Sequence, residues 1–207
     1  MVKAIVLTTA YFAPVQYYSK FLKYNKVLIE VHDHFTKQTY RNRCKIYAAN
    51  GVLQLSVPVK KDQTKTRLCD IKIDYDTNWR KVHWKSIESA YKASPFFDYY
   101  ADDLVPFFNR KYNFLIDFNT EIQNQILNLL NLDVSIQFTK SFKNYYSADY
   151  DDFREKIHPK KVIEDNDFTA TQYMQVFQDR YGFQPNLSII DLLFNEGPHA
   201  QNILKLS

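Results

Sequence analysis

The stretch VKAIVLTTAYFAPVQYYSKFLKYNKVLIEVHDH, residues 2–34, decides the fold. Val2 to Leu7 is a short continuous apolar run rich in branched residues, the pattern of a strand covered on both faces. Thr8, Thr9 and Ala10 lead through Pro14 into a helix in which Val15, Tyr18, Phe21 and Leu22 recur at helical spacing. Proline suits a first helical turn, where an N–H has no intrahelical partner to lose. Lys26 to His34 reads as a second strand. Strand, helix and strand in so short a length predict a right-handed parallel crossover.

Beyond this unit the pattern turns antiparallel. Asn50-Gly51 is a strong two-residue hairpin signal between Cys44–Ala49 and Val52–Val59. Leu53, Leu55, Val57 and Val59 alternate with polar residues or proline, so one face is expected to be buried, and Pro58 places that strand at an edge or near its end. Leu68–Asp74 reads as a further strand. From Asn78 the period becomes helical, predicting helices over Trp79–Lys92, Asp98–Asn109 and Tyr112–Asn131, then a strand at Val134–Phe138. Lys140–Thr171 has weak periodicity and many charges and reads as a long, loosely structured excursion, a kind of segment that is often functional when ordered. Ser188 with Asp191 three residues on, flanked by Leu187 and Leu192, matches a capped and stapled helix start, which Gly197-Pro198 ends. The expected architecture over residues 1–207 is a single α/β domain with a mixed sheet: an N-terminal parallel β-α-β unit, an antiparallel hairpin and flanking helices.

Composition excludes several classes of function. Three glycines cannot supply a G-x-G-x-x-G fingerprint or a P-loop, so no conventional nucleotide cofactor is expected, and no cofactor motif of another kind is present. A net charge of +4 with lysines and aspartates interspersed argues against a nucleic-acid partner; the basic stretch from Lys60-Lys61 to Arg67 reads as a polar loop. Cys44 and Cys69 have no C-x-x-C spacing, no run is long enough to span a membrane, and no signal peptide is recognisable. Two reduced thiols in a soluble cytoplasmic protein are the expectation. Aromatic residues reach 16%, enough for a core and for the wall of a ligand cleft.

Candidate chemistry gathers between residues 30 and 44. On a strand Glu30, His32 and His34 share a face; a Glu–His pair suits general acid–base work, with Glu30 orienting His32, while a metal site or a solvated strand face are competing readings. Open parallel sheets bind ligands beyond the carboxyl ends of their strands, which brings Thr9 and Tyr11 beside His32, and a helix beginning near Pro14 could aim free amides at an anion there. Arg41, Asn42 and Arg43 offer guanidinium forks for a carboxylate or phosphate, or else form a solvated turn. His83 and Trp84 could line a ligand wall, although core is the simpler reading for a tryptophan. Cys44 begins an apolar strand and reads as a small buried thiol.

These segments together resemble the WbqC-like protein family. The likeness runs through Ala10–Pro14 with Tyr17-Tyr18, Tyr40–Cys44, Leu55–Val59, Asn78–Arg80 with His83-Trp84, Ser94–Phe97 and Pro185–Asn195. Where many members carry His-Gln-Pro ahead of the Tyr-Phe segment, this chain has Leu7-Thr8-Thr9-Ala10. The resemblance implies a role in bacterial surface-polysaccharide or O-antigen biosynthesis, as a transferase of glycine or acyl type or one using a sugar-linked substrate. His32 would then be the acid/base with Glu30 as partner, and Thr9, Tyr11, Arg41, Asn42, Arg43, His83 and Trp84 would hold the small activated substrate. The alternative is a non-enzymatic binding or assembly protein that uses an aromatic cleft.

Overall fold

In a computed structural model, which describes residues 4–60, 65–161 and 163–207, the first apolar run becomes strand β1, Ala4–Thr8, buried along its whole length. Val2 and Lys3 of the expected strand, and Lys61 of the expected basic loop, lie outside the described residues. Ile5, Val6 and Leu7 are sealed from solvent, each contributing roughly 1.5–3 kcal/mol of burial. Helix α1, Val15–Lys23, follows, then β2, Lys26–Glu30, which pairs with β1 in parallel with Thr8 opposite Glu30.

Two short strands complete this sheet. Strand β5, Ile136–Phe138, lies parallel to β2, and β6, Tyr150–Asp152, lies parallel to β1, giving the order β5-β2-β1-β6. The fourth strand corrects the reading of 140–171 as loosely structured: Ala4 N donates to Asp149 O and Phe153 N to Val6 O, locking 150–152 against the most buried strand. Three residues, two of them acidic, give too short a run for periodicity to show. The antiparallel strands β3, Arg43–Ala48, and β4, Gly51–Ser56, form a separate two-stranded sheet, so the parallel and antiparallel pairings occur in two sheets. Gly51, at φ +98°, makes the turn; Leu55 and Val57 are buried, but Leu53 near the tip is exposed.

Helices α2, Trp79–Tyr91, and α5, Leu115–Leu129, arise where expected. The predicted helix over 98–109 is two, α3 (Phe97–Leu104) and α4 (Pro106–Asn109), because Pro106 has no N–H to continue the ladder. Leu68–Asp74 is not a strand. Leu68 N and Cys69 N donate to Asp33 and Val31 carbonyls, and the chain makes a tight 3-10 turn over Leu68–Asp70 before extended single bridges at Lys72 and Ile73. After a short turn of helix, α6 (Gln178–Tyr181), helix α7 runs from Ile189 to Glu196 and α8 from Ala200 to Leu206. The expected cap of α7 is not made. Ser188 Oγ donates instead to Phe12 O at 2.8 Å, and Asp191 turns inward to the core.

Between α7 and α8, Gly197 sits at φ +54°, and an added Cβ would fall 2.5 to 2.7 Å from the Phe96 ring. Backbone strain and overlap with a half-buried ring act together here. Gly197→Ala is expected to destabilise the fold by about 2 kcal/mol or more, read as a lower urea midpoint with an unchanged slope; an unchanged midpoint would mean that Phe96 yields freely.

Candidate functional site

Strands β2 and β1 were laid down in one direction from the centre of the sheet and β6 in the other, so the chain's order reverses between β1 and β6. Crevices open at such a reversal, beyond the carboxyl ends of the strands. A cavity of about 360 Å³ lies at this end, lined by Asp33, Phe142, Asp152, Arg154, Glu155 and Lys156.

Arg154 organises it. Its guanidinium bonds Asp152 through Nε (2.9 and 3.1 Å) and Nη2 (2.6 Å), because residues two apart in an extended segment share a face. Its other hydrogens go to the carbonyls of Lys143 (2.9 Å) and Asn144 (3.3 Å), and its plane lies over the Phe142 and Tyr146 rings. One side chain thus ties β6 to the loop that roofs the sheet. Burial pushes the Asp152 carboxyl up, but the Arg154 bonds outweigh burial and hold it below the ordinary carboxylate range; those same bonds raise Arg154.

Glu30 ends β2 fully buried, with Arg154 Nη1 at 3.8 Å. Oε1 accepts from the backbone N–H of His32 (2.7 Å) and from Thr139 Oγ1 (3.0 Å), and Oε2 from the Tyr146 hydroxyl (3.4 Å). Glu30 therefore fixes His32 through the backbone, not through the imidazole. The strand stops at Glu30, which is why His32 and His34 do not extend its polar face; His34 is exposed and bridges to Arg67. The half-buried His32 places Nε2 3.0 Å from the Thr139 carbonyl. A carbonyl can only accept, so Nε2 carries a hydrogen, which in the neutral tautomer leaves the lone pair on Nδ1.

Arg41 is buried at the same end, 1% exposed, with Nη2 at 2.6 Å from Glu155 and 3.4 Å from Asp33, both in the crevice wall. Its Nε, like Thr8 Oγ1 at the end of β1, is buried without a partner among the described residues. Asn42 and Arg43 lie elsewhere: Asn42 donates to Val57 O (2.8 Å) and pins the two ends of the hairpin together, while Arg43 reaches Gln54 (3.2 Å) across it. Arg41, Asn42 and Arg43 thus do not converge on one anion.

The remaining candidates form a closed core layer. Thr9 Oγ1 and the Arg41 carbonyl both accept from Asn119 of α5. Tyr11 O–H meets His83 Nδ1 at 2.9 Å and packs on Phe118. Burial first, and only partly offset by a bond to the Ser56 backbone, lowers His83 to about 4, so it is neutral, with Nδ1 accepting from Tyr11. Trp84 packs on Phe97 and Phe108, and Trp79 on His83. Cys44 is fully buried, and burial pushes its thiol far up, away from a thiolate nucleophile. The amides at the start of α1 are taken: Val15 N donates to Leu187 O and Gln16 N to Asn186 Oδ1, which closes the anion site expected there. Among the described residues no group of three or more His, Cys, Asp or Glu side chains could hold a metal ion, and no helix is long and apolar enough to cross a membrane.

Sequence reading missed Arg154, Asp152, Glu155 and Lys156, all in the excursion taken for a loop. The available signal was the alternation of Asp152 and Arg154, two residues apart on one side of a short extended segment.

A small open parallel sheet with a polar crevice at its order reversal, flanked by a hairpin and helices, sets the class as α/β. The chain belongs to the WbqC-like protein family, whose profile matches residues 9–203. It is similar to the uncharacterized protein Rv1507c of Mycobacterium tuberculosis, with 26% identity over 94% of this chain and 91% of that protein. No solved structure matches it.

Proposed function

We propose that the chain is a transferase that acts on a small activated or sugar-linked substrate during assembly of bacterial surface polysaccharide, at the crevice between the carboxyl ends of β1, β2 and β6. The observation that carries this reading is the setting of His32. Its ring is oriented by Thr139 and its backbone by Glu30, and its chain neighbour Asp33 lines a cavity together with Arg154 and Lys156. Nδ1 is then free to take a proton from an attacking hydroxyl or amine. Phe142 offers a ring face for a sugar, and Asp33, Asp152 and Glu155 offer acceptors for its hydroxyls. An acidic group of the substrate that displaced the half-exposed Glu155 would meet Arg41.

One observation favours non-catalytic binding instead. Arg41 and Arg154 are already matched to carboxylates, and the rings of Phe138, Phe142 and Tyr145 are left exposed around the strand ends, as a partner-binding rim would leave them. A thermal-shift screen of nucleotide sugars, acyl donors and amino acids, followed by product assay of the hits, separates the two. A bound ligand raises Tm. For a transferase, His32→Ala is expected to lose turnover by about a hundredfold or more while still binding. Full turnover in His32→Ala removes it from catalysis, and binding without product in the native chain selects the second reading.

A further inference from the structure

A second polar cavity, of about 490 Å³, shares Lys156 with the crevice and is lined in part by residues 158–161. We propose that it is a binding site for a phosphate-type dianion, a phosphomonoester or diphosphate group, independent of whether the crevice is catalytic. Its lining includes Tyr40, Lys45, Lys156, His158, Lys160 and Lys161, four lysines and a histidine around one hollow. Two acids also line it, but Asp165 is already neutralised. Its Oδ2 is 2.5 Å from the buried Lys20 ammonium and accepts from Gln16 Nε2 at 2.8 Å; of the two acids Glu164 alone has no such counter-ion among the described residues. Neither Lys156 nor Lys161 has a carboxylate within ion-pair distance among the described residues.

The donors are held by the backbone. Lys45, on β3, donates one hydrogen to Pro159 O at 2.7 Å, which fixes the ammonium and leaves two hydrogens. His158 Nδ1 accepts from the backbone N–H groups of Lys160 (3.0 Å) and Lys161 (3.2 Å), which leaves Nε2–H without a partner among the described residues, and the Lys160 ammonium also donates to Gln38 Oε1. Burial first, then the charge of Lys161, with Arg41 and Lys160 adding to it and Glu155 opposing, lowers His158 below the usual imidazole value. Several ammonium donors and one N–H suit the tetrahedral oxygens of a phosphate better than a planar carboxylate, which pairs best with a guanidinium fork. Because Lys156 lines both cavities, a phosphate held here would abut the crevice.

The test uses the full chain with inorganic pyrophosphate, followed by calorimetry and by the ring signals of His158. Binding that weakens as salt rises, with a shift of the His158 signals, is the expected result. The exposed pair Lys160→Gln with Lys161→Gln should bind about tenfold more weakly or worse with unchanged Tm. His32→Ala, which tests the crevice, should bind pyrophosphate as the native chain does. No heat and no His158 shift at millimolar pyrophosphate overturns the proposal. So does equal affinity in the double variant, or an equal His158 shift from chloride at matched ionic strength.

Discussion

Arg154→Ala is expected to cost about 3–5 kcal/mol, a large share of the roughly 5–15 kcal/mol that keeps an ordinary domain folded. The size follows from what the side chain leaves behind. Glu30 has no exposed surface and Arg154 as its charged neighbour, and Asp152 loses a partner that held three of its contacts. The carbonyls of Lys143 and Asn144 lose their donor as well, and the roof over the sheet loses its tie. A paired removal tests this cause. If Arg154→Ala is severe because it strands the Glu30 carboxylate, adding Glu30→Gln should restore part of the loss, since the amide carries no charge to bury. Urea denaturation of both singles and the double gives the coupling directly. Strictly additive losses would show that Arg154 acts through packing on Phe142 and Tyr146 alone.

A second large effect centres on Asp191, which is fully buried and accepts from Tyr91 (2.8 Å), Tyr173 (2.7 Å) and Gln175 (2.9 Å). Asp191→Ala leaves three donors in a dry core and is expected to cost about 3 kcal/mol or more. The pH dependence is more diagnostic. Burial raises Asp191 to about 6, so the native state holds its proton longer than the unfolded chain, and the contribution to stability falls as pH rises from the ordinary carboxylate value through 6. His83, lowered to about 4, has the opposite sign: the unfolded chain takes the proton first, so stability falls as pH drops from the ordinary imidazole value towards 4. Between pH 4 and 6 the two largely offset each other. Asp191→Asn removes one side of that balance and should reveal a loss of about 2–3 kcal/mol on acidification through this window, where the native chain changes little. Parallel stability curves for the two proteins would show that Asp191 has an ordinary pKa in the fold.

What could be read beforehand divides along physical lines. The parallel unit, the Asn50-Gly51 hairpin and helices α2 and α5 are local, set by runs long enough for burial to impress a period on them. Strand β6 is not. Its place beside β1 depends on partners far away in the chain, and its own residues, Tyr150 to Asp152, look like loop. The site divides in the same way. Glu30 and His32 were visible as polar residues at a strand end, but their geometry is governed by Thr139, Tyr146 and Arg154, which come from that late segment. Arg41 and Arg43 looked equivalent in sequence. A β-hairpin that starts between them sends one to the crevice and the other to Gln54.

The pairing of residue 4 with residue 150 has a kinetic consequence. During synthesis β1 can pair with β2 and the hairpin can close, but one flank of β1, apolar from Ala4 to Leu7, stays an open edge until most of the chain has appeared. Contacts this distant in sequence form slowly, and an unpaired apolar edge is open to other chains while it waits. The crevice is completed by the same event, so ligand binding should appear only with the last phase of refolding, and yield should depend on protein concentration.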